Sequence, residues 1–450
     1  MTLYWAERAW LGGRSRTCTG VLVEVANGRF AAVTTGVTSP PADASRLTGL
    51  LVPGLANAHS HAFHRALRGR TQAGKGTFWT WRERMYALAQ RLDPDTYHAL
   101  ARATFAEMAL AGVTCVGEFH YLHHGPRGTR YADANEMGHR LIAAAQEAGI
   151  RITLLDTLYL TSSVDGEPLR GPQRRFGDGD VAAWADRLAA LSPAAHVRVG
   201  AAAHSVRAVP ADALTDLARH TEGMPLHIHL SEQRSENEAC VAVHGRTPTA
   251  LLQEHGLLGP RLTAVHATHL SDEDRVRLGG HGVSVCLCPT TERDLADGIG
   301  PARALVDAGS PLCLGSDSHA MIDMWEEARA VELDERLRDE HRGHFDANEL
   351  LTAATANGHA ALGWPDAGRI EPGARADLVT VRLDTIRTAG HDPAQAAAAA
   401  VFAATTADVS DVIADGRPIV RGGQHLLVDD VAGALAHSIE AAWLSDPGAT

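Results

Sequence analysis

The chain has 450 residues, 45% of them apolar and 21% charged, the balance of a soluble globular enzyme with room for a large core. Fifty-four acidic against 41 basic residues leave a net charge of −13, which argues against a nucleic-acid partner and requires any anionic ligand to be held by local arginines. No apolar stretch is long enough to span a membrane, and Met1–Trp5 has no basic segment leading into an apolar one, so a cytoplasmic, non-membrane protein is expected.

Residues 1 to about 52 read as β-rich. Val21–Val25 and Phe30–Val33 are short β-prone runs joined by Asn27-Gly28, a hairpin signal. From Leu51 onward short apolar strands alternate with helical segments. Eight strands are expected, at 51–57, 113–119, 151–159, 197–203, 225–230, 262–267, 282–288 and 311–316. The helix expected over 94–111 opens with Asp93-Pro94 and closes at Gly112, with Tyr97, Leu100, Thr104 and Met108 on one face. Another opens at Thr247-Pro248, and a further one covers 348–363. The 58–112 interval supplies a loop and helix over the barrel mouth. Beyond the barrel, Leu378–Val381 returns to a strand, Ala396–Ala400 reads as a packed helix, and Asp415-Gly416 marks a second hairpin.

Eight βα units predict an α/β fold, a (β/α)8 TIM barrel over 53–365. The β-forming ends, 1–52 and 366–450, are expected to pair into one small, discontinuous β-sandwich domain. The six cysteines form no disulfide framework, and Cys286 and Cys288 read as small apolar residues of a core strand.

Barrels of this type place their chemistry at the C-terminal ends of strands. The first strand leads into His59-Ser60-His61, whose imidazoles share a side because strand residues two apart face the same way. The fifth ends His227-Ile228-His229-Leu230-Ser231-Glu232, the sixth carries His266, and the eighth leads into Asp317. His229 lies nearer the mouth than His227 and is taken as the ligand, with His227 the alternative. Three imidazoles and one carboxylate (His59, His61, His229, Asp317) suit one divalent ion, zinc before others. Glu232 stands just past its strand, within reach of the centre, as a proton shuttle would.

In this order these residues resemble the amidohydrolase superfamily, and within it the branch that uses one metal to release ammonia from an amidine-like carbon. The end of the fourth strand, Ala201-Ala202-Ala203-His204, has no lysine to bridge a second metal. The return segment Pro372–Val379 also matches. Longer motifs resemble the formimidoylglutamate deiminases of histidine degradation: Phe78-Trp79-Thr80-Trp81-Arg82, Glu118-Phe119-His120-Tyr121-Leu122-His123-His124, Gln173-Arg174-Arg175-Phe176, His204-Ser205-Val206-Arg207 and Val265–His269.

The resemblance implies that Arg82, Tyr121, His204 and Arg207 hold the substrate. Where that family has a glutamine this chain has His64, whose imidazole can still donate a hydrogen bond. The implied reaction is metal-dependent hydrolysis of N-formimino-L-glutamate to N-formyl-L-glutamate and ammonia. Asp317 would accept the proton of the attacking water, His266 would bond the new hydroxyl, and Glu232 would protonate the leaving nitrogen. Arginine forks suit the two carboxylates of such a substrate, whereas Arg174 and Arg175 read as rim charges. The alternative is an aminohydrolase of the same branch acting on another amidine-like substrate such as a nucleobase. A homodimer is the expected assembly.

Overall fold

The computed structural model describes residues 1–13, 16–72 and 75–444. The expected mouth segment and the C-terminal block each include a few residues outside that set. The N-terminal strands β1 (Thr2–Ala9), β2 (Cys18–Ala26), β3 (Arg29–Thr34) and β4 (Ser45–Pro53) form as the sequence suggests. The β2–β3 hairpin turns on Asn27 and Gly28, both at positive φ (52° and 75°), the geometry that favours Asn-Gly in a two-residue turn.

The apolar run starting at Leu51 does not make a single strand. Leu51 and Val52 pair with Thr380 and Val379 in the accessory sheet, and a new strand begins at Leu55. Pro53 and Gly54 make the break. A Cβ on Gly54 would come within 2.7 Å of both Thr114 and Asp377, so only glycine fits where the chain passes from one sheet to the other.

The barrel strands are β5 (Leu55–Ser60), β6 (Val113–His120), β7 (Arg151–Leu158), β8 (Val197–Ala203), β9 (Leu226–Leu230), β10 (Leu262–His266), β11 (Ser284–Leu287) and β12 (Leu312–Leu314). Each is hydrogen-bonded in parallel to the next in chain order. The seam closes just beyond β12, where Ser60 bridges Asp317. The Asp317 amide donates to His59 O at 3.0 Å, and the His61 amide donates to Asp317 O at 3.3 Å. The last hydrogen bonds of barrel closure thus set the backbone of three expected metal ligands.

The chain ends meet in the accessory sheet. β13 (Leu378–Val381) pairs with β4, and β14 (Val409–Ala414), β15 (Arg417–Arg421) and β16 (Gln424–His425) follow. The two sets of strands expected to pack as a sandwich are continuous through the β4–β13 pairing, giving eight strands in one mixed sheet. Tyr4, Val23, Phe30, Leu47, Leu378 and Ile413 share an apolar core separate from the main one.

The helix Pro94–Leu110 starts under a reciprocal cap, with the Thr96 amide donating to Asp93 at 2.7 Å. The chain's last helix, Val431–Leu444, reaches the barrel flank, where Trp443 Nε1 donates to Ala66 O. Over the mouth lies the helix Phe78–Ala89, which carries Arg82. Among the described residues no helix is long and apolar enough to cross a membrane.

Candidate metal centre and substrate pocket

The four donors converge from three places on the barrel: the end of β5, β9 and the segment after β12. One ligand atom each from His59, His61, His229 and Asp317 lies within 4.8 Å of every other, and all four residues are buried. His59 Nε2 is 3.1 Å from His229 Nε2, and Asp317 Oδ1 is 3.4 Å from Nε2 of both His59 and His61. His227, the alternative ligand, turns instead to Ala361 O at 3.2 Å and is outside this group.

The protonation of the rings suits a cation. His61 Nδ1 lies 2.9 Å from Phe119 O and His229 Nδ1 lies 2.9 Å from His204 O. A carbonyl only accepts, so both Nδ1 atoms carry the hydrogen and the Nε2 lone pairs face inward. Burial holds His61 down to about 3 and His229 well below the usual imidazole range, so these rings are neutral. Burial opposes ionisation of Asp317, but the close approach of His59, with His266 and His61 also nearby, holds it well below the usual carboxylate range. Lone pairs and an anion facing one another at 3–4 Å are mutually repulsive without a positive charge between them. The donor set fits one divalent ion.

The strand ends around this centre are strained. Ser231, His266, Ala267, Asp317 and His319 all have positive φ without being glycine. Each such residue costs about 1–3 kcal/mol, a cost that persists where surrounding structure holds a functional geometry.

Glu232 stands beside the centre and is not among the clustered ligands. Its Oε1 is 3.8 Å from His266 Nε2 and its Oε2 is 3.9 Å from the Arg207 guanidinium. Burial pushes its carboxyl up, against the pull of His266 and Arg207. His266 Nε2 is 3.7 Å from Asp317 Oδ2. Burial works against a charge on His266, yet Glu232, a Glu292 hydrogen bond and Asp317 push it up to about 10. A buried acid and a buried imidazole that both favour the protonated form thus stand side by side at the centre.

Above the ligands a pocket opens toward the mouth. His61, His229, Glu232, His266 and Asp317 form its floor side. Arg82, Tyr121, His204, Arg207 and His64 line it too, so the structure brings every expected site residue to one place, with His59 fully buried in the ligand cluster. Arg207 is committed in part: its Nε donates to Glu236 at 2.7 Å, and Glu236 also accepts the Ser231 amide. Arg82 is half-buried, 4.4 Å over the Trp79 ring and 5.6 Å from Tyr86, and no carboxylate pairs with it among the described residues. His64 Nε2 and Tyr121 Oη are hydrogen-bonded at 2.9 Å, and His64 Nδ1 has no hydrogen-bond partner among the described residues. His204 has two functions, a side chain in the pocket and a carbonyl that orients His229.

Sequence reasoning missed several contributors. Glu292, on the short helix after β11, approaches His266 Nδ1 at 3.3 Å and accepts the Cys288 amide. The end of the seventh strand carries that signal, but its cysteines read as core residues, and Cys286, Cys288 and Cys313 do pack in the core with Ala58 and Val265. Tyr86, Tyr159 and Phe176 add an aromatic wall. Arg175 corrects an expectation. It is no rim charge but wholly buried, its guanidinium donating to the carbonyls of His124, Leu92 and Ala89. It thereby ties the end of the Arg82-bearing helix to the loop that follows β6. Arg174 is exposed, as expected.

The comparisons with known proteins agree with this geometry. The model of the amidohydrolase family matches residues 50–419. Formimidoylglutamate deiminase of Pseudomonas aeruginosa is 39% identical over 402 residues, covering 85% of this chain and 87% of that protein. The crystal structure of an amidohydrolase from Brucella melitensis superposes with a TM-score of 0.91 at 33% identity, over 98% of this chain and 100% of that one. An adenosine deaminase from Xanthomonas campestris with bound zinc superposes with a TM-score of 0.82 at 26% identity, over 98% and 97% of the two chains. The chain belongs to the amidohydrolase family and is a metal-dependent hydrolase of that fold.

Proposed function

We propose that this enzyme hydrolyses N-formimino-L-glutamate to N-formyl-L-glutamate and ammonia, a step of histidine degradation. The observation that carries the reading is Arg82, a guanidinium on the pocket wall with no carboxylate paired to it among the described residues, facing a buried hydrolytic centre. A substrate with two carboxylates and a formamidine-type head fits that pairing of cationic grip and acid–base floor. The resemblance to the Pseudomonas deiminase supports it.

His59, His61, His229 and Asp317 would hold a divalent ion, which would supply Lewis acidity and make a water at the centre more acidic. Asp317, ionised and beside both His59 and His61, takes the proton of the attacking water. His266 faces both Asp317 and Glu232 and holds the hydroxyl that forms on the formimino carbon. Glu232 delivers a proton to the nitrogen, which leaves as ammonia. Arg82 and Arg207 hold the carboxylates, and His204, Tyr121 and His64 supply polar contacts along the pocket. Zinc as the resident ion, a cytoplasmic location and a homodimer belong to the same reading.

The test is incubation with N-formimino-L-glutamate, with ammonia and N-formyl-L-glutamate as the expected products. Glutamate and formamide would put the cleavage on the other side of the carbon. The aromatic wall of Phe78, Trp81 and Tyr86 favours a second reading, deamination of a nucleobase or nucleoside. Turnover of adenosine with none of formiminoglutamate would establish it in place of the first.

A further inference from the structure

The metal ligand His61 is held by its ring and by both its chain neighbours. Its Nδ1 donates to Phe119 O at 2.9 Å. On either side of it, Ser60 Oγ donates to Glu118 Oε2 at 2.6 Å and the Ala62 amide donates to Glu118 Oε1 at 2.7 Å. Glu118 is wholly buried at the end of β6, with no lysine or arginine paired to it among the described residues. The residue before it, Gly117, lies tight against β5: a Cβ there would meet Ala58 O at 2.7 Å. Three consecutive residues of one strand thus govern where the neighbouring strand presents its imidazoles.

The Ser60 hydroxyl also connects the two sides of the barrel seam. Since it gives its hydrogen to Glu118, it can only accept from His319 Nε2, 3.2 Å away. His319 Nδ1 must then accept from Ser316 Oγ at 2.9 Å, and Ser316 Oγ accepts from Asn57 Nδ2 at 2.7 Å. Asn57 Oδ1 in turn accepts the Ser316 amide. Every donor along this path points toward Glu118, and the path runs from the segment bearing His59 and His61 to the one bearing Asp317.

We propose that Glu118 is a positioning residue for the metal centre: by accepting hydrogen bonds on both sides of His61 it fixes the His59–His61 segment in register with Asp317. The proposal depends on the metal reading of the ligand cluster and not on the identity of the substrate. Metal–ligand distances tolerate only a few tenths of an ångström, so loosening this segment weakens the site without removing a ligand.

The test is Zn²⁺ affinity of the full chain, measured by competition with a chromophoric chelator, together with thermal stability. Glu118→Ala is expected to weaken Zn²⁺ binding by about 10–100-fold, the usual cost of losing a group that orients a ligand. Glu118→Gln, which keeps shape and an acceptor for the Ala62 amide, should recover most of that loss. A purely structural role would lower the melting temperature and leave Zn²⁺ affinity unchanged in both variants, which would overturn the proposal. Should Glu118→Ala not fold, Ser60→Ala removes one of the two Glu118 bonds together with the acceptor of His319 Nε2 and leaves the Ala62 bond in place. It is expected to weaken Zn²⁺ binding several-fold, and wild-type affinity there would equally refute the idea. A wild-type chain that takes up no Zn²⁺ would instead sink the metal reading itself.

Discussion

Replacing Arg82 by methionine tests the substrate assignment with the least disturbance to the fold. The side chain is half-buried and rests on Trp79 at 4.4 Å, and it has no ion pair to break among the described residues. Methionine keeps much of the apolar packing and deletes only the charge and the fork. A hydrogen bond to a charged group contributes about 1.5–3 kcal/mol, and partial exposure places this one toward the lower end. With about 1.4 kcal/mol per factor of ten, KM for N-formimino-L-glutamate should rise roughly 10–30-fold. The carboxylates lie away from the formimino carbon, so kcat should change little, the signature of binding energy lost equally from ground and transition states. Formamidine, the same head without carboxylates, serves as the control: kcat/KM should be alike in wild type and variant. Steady-state ammonia release measures both. An unchanged KM for the dicarboxylate would refute the reasoning, leaving the hydrolytic centre intact and the substrate wrong.

Three further outcomes follow from the same geometry. Glu232→Gln should retain its metal, checked by elemental analysis, and lose about 10²–10⁴-fold in kcat; a variant at full rate removes Glu232 as the proton carrier. Chelation should abolish ammonia release, added Zn²⁺ should restore it, and the metal should raise the melting temperature, since a ligand at 1,000 times its Kd stabilises by about 4 kcal/mol; full activity in metal-free protein would contradict this. His359, far from the pocket, donates to Gly54 O at 3.1 Å, and burial holds it down to about 4 from the usual 6.5. Between those values the unfolded chain binds the extra proton, so stability is complete above pH 6.5 and falls as pH drops toward 4, by up to about 3 kcal/mol. His359→Gln keeps an N–H for the carbonyl and should flatten that part of the pH profile of urea midpoints. An unchanged slope would show that His359 is not the group responsible.

The parts of this enzyme that were legible in the sequence are those governed by the period of a strand. His59 and His61 declare a shared side by being two residues apart, and the end of an apolar run declares the barrel mouth. His229, Glu232, His266 and Asp317 could be found in the same way. The turns at Asn27-Gly28 and Asp415-Gly416 were legible because two positive φ angles leave few residue choices. Periodicity failed at Leu51–Leu55, where one apolar run serves two sheets and the division depends on Asp377, more than 300 residues away.

What a polar side chain does when buried depends on what it faces across the fold, and no local pattern reports that. Arg174 and Arg175 are neighbours with the same chemistry. One is exposed, while the other is wholly enclosed with three backbone carbonyls to satisfy its fork. Arg82 and Arg207 share a pocket, but Arg207 meets Glu236 from the helix Arg234–His244, whereas Arg82 rests on aromatic rings with no carboxylate paired to it among the described residues. That difference makes Arg82 the sharper probe. Removing Arg207 would leave Glu236 buried and unpaired, a loss of about 3–5 kcal/mol in stability that would mix folding with binding. The same distinction separates ligands from the groups that hold them. His61 can be read from its spacing to His59, but Glu118 and Phe119 become legible only once β6 lies beside β5 and their oxygens are seen to receive the hydrogens on and around that one histidine.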